Sequence, residues 1–192
     1  RSEGEGMTRI GCASTLLLAL SGPCFAGCKA TTIETDIAGL RLDDEASAAR
    51  ILGALDQLPM VGDDMPTLLL FNREKSEMAT LTQYPGAVRG AFSVIEVRSA
   101  VGASRRSGRV IETDHLSSER GVRLGAPQEF VIDLLGLCFT PKKTRGGRMT
   151  IRYETDDPNH PFLKRVGMPN YFAEYTFRHN RLVAFRYGSD YP

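Results

Sequence analysis

Two spacings of apolar residues take turns along this chain. Ala48, Ile51, Leu52 and Leu55 recur at i, i+3, i+4 and i+7, which gathers them on one face of a helix. Asp43 is placed to cap that helix, and Asp44 and Glu45 complement the positive end of its dipole. Strand patterns follow at Thr67–Phe71, Met78–Thr82 and Phe92–Val97. The order then recurs. Pro127 suits a first helical turn, and Phe130, Val131, Leu134 and Leu135 form an apolar stripe behind it. Met149–Tyr153, Tyr171–Phe177 and Leu182–Tyr187 alternate with period two, and His179-Asn180 joins the last two as a hairpin. Gly53 and Gly136 read as helix stops. On the later strands one face collects Met149, Ile151, Tyr153, Tyr171, Ala173, Tyr175, Phe177, Val183, Phe185 and Tyr187, and the other Arg152, Glu174 and Arg186. The first is the core face. The shared parity of Tyr153, Tyr171, Tyr175 and Tyr187 makes them core tyrosines rather than an aromatic recognition platform.

A short motif repeats along with the elements. Gly39-Leu40-Arg41-Leu42 returns as Gly121-Val122-Arg123-Leu124, 82 residues later. Ile33-Glu34-Thr35-Asp36 returns as Ile111-Glu112-Thr113-Asp114 at an offset of 78, so an insertion of four separates the two matches. These patterns predict an α+β fold of two tandem helix-plus-three-stranded antiparallel sheet repeats, the first over 28–110 and the second over 111–192.

The stretch before residue 28 reads as an upstream remnant and a leader. Residues 1–6 precede Met7, a short basic region follows at Thr8-Arg9, and Ile10 to Leu20 form an apolar run of 11 residues. That run suits the hydrophobic region of a signal peptide and is too short to cross a bilayer. Phe25-Ala26-Gly27-Cys28 resembles the lipobox of bacterial lipoproteins, with Phe25 where that family usually has Leu; this resemblance makes Cys28 the candidate lipidation site. Ordinary signal-peptidase cleavage after Ala26, with Cys24 and Ala26 as the small residues, is the alternative. It leaves Cys28 free to pair with Cys138 in an oxidising compartment. Either way the expected location is the periplasm, anchored to the outer membrane if Cys28 is lipidated, with secretion as the alternative.

Residues 116–136, from Leu116 through Gly121, Val122, Leu124, Gly125 and Phe130 to Leu135-Gly136, resemble the helix-opening motif of small bacterial envelope domains. These are the outer-membrane assembly lipoproteins of the SmpA/OmlA type and the tandem-repeat β-lactamase inhibitor proteins. The likeness covers about 15 residues more weakly in the first half, where Asp43 stands in place of the second glycine. It implies a helix-plus-antiparallel-sheet plan in the cell envelope and transfers no catalytic residue.

Charge and chemistry narrow the function. The 24 Lys and Arg balance 23 Asp and Glu, so a net charge of +1 offers no field to draw in nucleic acid or an anionic membrane. Membrane contact is expected only through a lipid anchor. No nucleophile elbow, phosphate-binding glycine loop or zinc-protease motif occurs, and Cys24-x-x-x-Cys28 lacks a second half for zinc. No metal and no cofactor are expected. Asp156-Asp157 with Asn159 reads as a polar turn, since the glycine and distal glutamate of a calcium loop are missing. The basic loop Arg105-Arg106-Ser107-Gly108-Arg109 marks a linker, with an anionic headgroup as its other reading. The expectation is an exported, non-catalytic protein-binding or envelope-assembly module, whose partner docks on the sheet's outer face or on the loops between repeats. The alternative is a secreted hydrolase or small-ligand binder with a site between the repeats, for which His160, Asp157 and His115 are the residues to test.

Overall fold

A computed structural model describes residues 28–102, 107–144 and 146–190. The leader expected before Cys28, and Arg105 and Arg106 of the basic loop, lie outside the described residues. The chain begins with β1 (Asp36–Ile37), β2 (Leu40–Arg41) and α1 (Glu45–Leu52), then a 3-10 turn at Leu55–Gln57. Next come β3 (Thr67–Phe71), β4 (Glu77–Thr82), β5 (Val94–Ser99), β6 (Arg109–Val110) and α2 (Gln128–Leu135). The chain continues through β7 (Thr140–Thr144), β8 (Arg148–Thr155), α3 (Pro161–Val166), β9 (Tyr171–Arg178) and β10 (Arg181–Gly188).

Strands β3 to β10 make one eight-stranded sheet in the order β6-β3-β4-β5-β10-β9-β8-β7. This overturns the α+β architecture of two tandem helix-plus-three-stranded antiparallel repeats. The protein is mostly β, its helices span only eight, eight and six residues, and a single mixed sheet stands where two were expected. Three physical causes account for the difference. An open edge presents unpaired backbone groups, and β5 and β10 satisfy each other's edge through five residue pairs from Ala184↔Arg98 to Gly188↔Val94. The later half gains a fourth strand, β7, from a segment carrying Pro141, Lys142 and Lys143, which shows no alternating apolar signal. At the far side β6 adds to β3 in parallel.

The helices begin and end for local reasons. Asp44, not Asp43, caps α1: its carboxylate accepts from the Ser47 N–H at 3.0 Å. Asp43 instead adopts φ 50°, donates its N–H to the Phe92 carbonyl at 2.9 Å and accepts from the Ser93 hydroxyl at 2.6 Å. Gly125 takes the matching place before α2, at φ 81° with its N–H on the Leu182 carbonyl at 2.8 Å. Both positions need a left-handed backbone, which Asp tolerates better than most non-glycine residues, and that explains the mismatch in the sequence motif. Gly53 and Gly136 end α1 and α2 with N–H bonds to Ala49 and Ile132.

One face of the sheet carries the core. Leu68, Leu70, Ala79, Leu81, Ile95, Val97, Phe185, Tyr187, Tyr175, Ile151 and Tyr153 pack against Ile37 and Leu40, against Ala48 and Leu52 of α1, Val131 and Leu135 of α2, and Phe162 and Leu163 of α3. Two details differ from the sequence pattern. Phe130 points away and is 38% exposed. A register shift between Leu182 and Ala184 takes Val183 off the core face and buries Leu182 in its place. Cys28 and Cys138, 110 residues apart, are joined by a disulfide with a Cα–Cα distance of 5.5 Å.

Where β10 ends against β5, the fit leaves no room. A Cβ on Gly188 would lie 2.1 Å from the Ser93 carbonyl oxygen and 2.8 Å from the Val94 Cα. Gly188→Ala is expected to cost about 3 kcal/mol, seen as a lower urea midpoint. Gly86→Ala, at φ 79° with no atom within 4 Å of the added carbon, should cost about 1 kcal/mol. Opening the disulfide returns freedom to a long loop of the unfolded chain, so full reduction is expected to remove on the order of 4 kcal/mol, read as a drop in Tm.

Candidate functional site: the open face of the sheet

Because side chains alternate along a strand, every residue that feeds the core leaves a neighbour facing the other way. On that second face, at the β3–β4 end, Phe71 and Met78 form a small satellite core with Ala100, Leu69 and Val110. From β5 onward the face is polar, and among the described residues no helix packs on it.

The backbone register lays out its chemistry in rows. Thr80, Glu96, Arg186, Glu174, Arg152 and Thr140 are successive cross-strand neighbours from β4 to β7. Four of them alternate in charge, a favourable arrangement for directly opposed pairs. Arg152 Nη1 lies 2.8 Å from Glu174 Oε1, and Arg186 Nε 3.6 Å from Glu174 Oε2. Arg152 also reaches Glu154 at 2.6 Å and Asp190 at 3.4 Å. Burial opposes the Arg152 charge, but the bonds to Glu154 and Glu174 more than offset it and hold the guanidinium above its ordinary pKa.

Beneath this network sits a residue the sequence reading did not place. Phe172 points to the polar face, yet is only 1% exposed, because the Arg152 and Arg186 guanidinium groups each cover its ring at 4.7 Å from the centroid. Cation–π attraction and the shared Glu174 therefore fix both arginines in place. The signal was available: Phe172 has the parity of Glu174 and interrupts an otherwise polar row.

The residues marked for the hydrolase alternative do not converge. His160 caps α3, its Nδ1 accepting from the Phe162 N–H at 3.3 Å, and Asp157 accepts from the Asn159 N–H at 2.9 Å in the adjoining turn. His115 lines a different cavity, of about 530 Å³, with Arg123, Leu124, Phe130 and Arg181, and its Nδ1 pairs with buried Glu77 Oε1 at 2.9 Å. Among the described residues no three His, Cys, Asp or Glu side chains gather as metal ligands. Cys28, the candidate lipidation site, has its sulfur bonded to Cys138. One sulfur cannot carry both that bond and a lipid thioether.

The core holds one group at odds with its surroundings. Tyr171 donates its hydroxyl to the Glu34 carbonyl at 2.7 Å, Tyr153 to Gly136 at 2.9 Å, and Tyr187 to the Asp36 carbonyl. The Glu34 side chain is buried beside them, with no hydrogen bond to Oε1 and with Arg120 Nε 3.8 Å from it. Burial pushes the Glu34 carboxyl up to about 7, against the pull of a Ser118 hydrogen bond and of Arg120. Burial also raises Asp36 and Asp43.

A carboxyl that holds its proton more tightly when folded gives stability below its ordinary pKa and loses it as pH climbs to the folded value. Stability should therefore fall between pH 4.5 and about 7 and level off above that range. The Glu34 share is about 3 kcal/mol. Asp36 and Asp43 act in the same sense. Glu34→Gln is expected to flatten this slope and to raise stability at pH 8, which denaturant midpoints across pH 4.5 to 8 check. Compared with known proteins, the chain matches no family model, no curated protein and no solved structure.

Proposed function

We propose that this chain is an exported, non-catalytic protein-binding module of the bacterial envelope that engages a folded partner through the open face of its sheet. The observation that carries the reading is the alternating row Glu96, Arg186, Glu174 and Arg152, in which both arginines lie over Phe172 and share Glu174, on a face that nothing described covers. Side chains held in one geometry before contact lose little freedom on binding, and arginines braced by carboxylates and an aromatic ring have that property. The sheet's edges offer less. β7 is blunted by Pro141, Lys142 and Lys143, and β6 is two residues long, so an added strand finds little backbone to pair with. A partner is left with the face.

The resemblance of residues 116–136 to the helix-opening motif of SmpA/OmlA-type lipoproteins and β-lactamase inhibitor proteins is the ground for proposing an envelope role. The Cys28–Cys138 disulfide supports an oxidising compartment. A lipid anchor on Cys28 is the competing arrangement, and it leaves Cys138 as a free thiol.

Two measurements check the reading. A photo-crosslinking residue at Thr176 is expected to capture one envelope protein, while the same group at Lys164 on α3 captures none. With the crosslinker kept at Thr176, Ala184→Trp on the neighbouring strand of the same face should weaken that capture roughly tenfold by lifting the partner off the face. Equal capture from both positions defeats the docking reading. For the location, labelled palmitate and thiol counting on native protein should show no incorporation and no free thiol. Incorporation lost in Cys28→Ala, with one thiol present, establishes the anchor instead.

A further inference from the structure

Apart from the open face, we infer that a cavity between α2 and the β9–β10 hairpin binds a small organic acid with an apolar body, of the arylalkanoate kind. The hairpin and the segment before α2 are joined by backbone bonds: the Gly125 N–H to the Leu182 carbonyl at 2.8 Å, the Leu182 N–H to Ala126 at 2.9 Å and the Gln128 N–H to Asn180 at 3.1 Å. Beside this seam lies the cavity of about 530 Å³ lined by His115, Arg123, Leu124, Pro127, Phe130 and Arg181. Its size suits a small molecule rather than a folded protein.

The lining divides into an apolar part and a cationic part. Phe130 belongs to the apolar stripe of α2, yet it is 38% exposed while Val131 and Leu135 of the same helix are buried. With Leu124 and Pro127 it forms the apolar wall of the cavity. Among the described residues neither Arg123 nor Arg181 has a carboxylate partner: Arg123 makes no side-chain bond, and Arg181 meets only the Gly125 carbonyl at 3.3 Å. Arg181 also lines a neighbouring cavity with Glu129, so Arg123 is the main anchor. His115 supplies a third polar group. Buried Glu77 pairs with its Nδ1 at 2.9 Å and accepts from the Leu116 N–H at 2.6 Å, which fixes the ring and leaves Nε2 as its remaining hydrogen-bonding atom.

The repeated motif shows why an anion fits here and not at the matching place in the first half. Arg41 of Gly39-Leu40-Arg41-Leu42 shares its cavity with Asp44 and Glu119. The second copy has Gly125-Ala126 where the first has Asp43-Asp44, and among the described residues no Asp or Glu lines the cavity of Arg123. An arginine without a carboxylate, beside exposed apolar surface, matches a ligand that brings both the carboxylate and the apolar body.

The test is calorimetric titration of the full oxidised protein with benzoate, hydrocinnamate and octanoate at millimolar concentration, each beside its primary amide, with acetate as the acid that lacks an apolar body. At least one of the three acids is expected to bind, and its amide and acetate to bind at least roughly tenfold more weakly. Arg123→Gln should weaken the acid roughly tenfold, Arg181→Gln should weaken it less, and Arg123→Lys should recover most of the loss. Phe130→Ala should weaken it roughly threefold, and Lys164→Glu on α3 should leave it unchanged. Arg123 and Phe130 are both exposed, and unaltered Tm in each variant excludes unfolding as the cause. Binding of none of the acids, equal binding of acid and amide, or an affinity indifferent to Arg123 overturns the proposal. Partner capture at Thr176 reads the open face alone, so the docking reading and this one stand or fall separately.

Discussion

Everything on either face of this protein depends on the backbone pairing of β5 with β10. The two strands are far apart in the chain and close together in the sheet, and their register decides which residues meet. On the covered side it sets Val97 against Phe185 and Ile95 against Tyr187, joining a ring series in which Phe185 lies 6.2 Å from Tyr175 and 6.1 Å from Tyr187. On the open side the same register puts Glu96 opposite Arg186. A slip of one residue would turn every one of these side chains to the wrong face. The hydrophobic and the charged order are one constraint seen from two sides.

The open face gains its regularity from an apolar residue. Phe172 in that position would be a liability if it met water directly, and the arginines that shield it spend their flat surfaces doing so. Their hydrogen-bonding edges are then directed at Glu174, Glu154 and Asp190. The result is a charged surface whose two central arginines are each held between an aromatic ring and a carboxylate, with no helix packed on it among the described residues.

Individual elements were more legible in the sequence than their assembly. The strands near residues 149, 171 and 182 follow from alternation, and these and the ones expected at Thr67 and Met78 begin within a residue of where the pattern puts them, whereas β5 begins two residues beyond the expected Phe92. The turn at His179-Asn180 adopts φ 49° and 58°, the twisted form that two-residue hairpins favour. Joining the two groups of strands into one sheet could not be read, since edge pairing is made by backbone groups that all residues share. β7 escaped notice because Pro141, Lys142 and Lys143 are what an edge strand carries and what a strand pattern lacks. For the site, Arg152, Glu174 and Arg186 were correctly assigned to the outer face. The bracing by Phe172 needs the register, which no local pattern encodes. Glu34 was seen only as part of a repeated tetrapeptide; its burial comes from Tyr171, 137 residues away.

The position of the last strand has a consequence for the order in which the molecule can be made. β10 ends the described chain, yet it lies near the middle of the sheet, between β5 and β9. A chain delivered from its N-terminus could assemble β3, β4 and β5 early, but the exposed side of β5 would wait until the chain had been delivered as far as β10. Contacts so distant in sequence form slowly, and an unpaired strand edge is an invitation to wrong partners meanwhile. The interval between emergence of β5 and arrival of β10 is thus the stage at which this protein is most exposed to proteases and most in need of a chaperone.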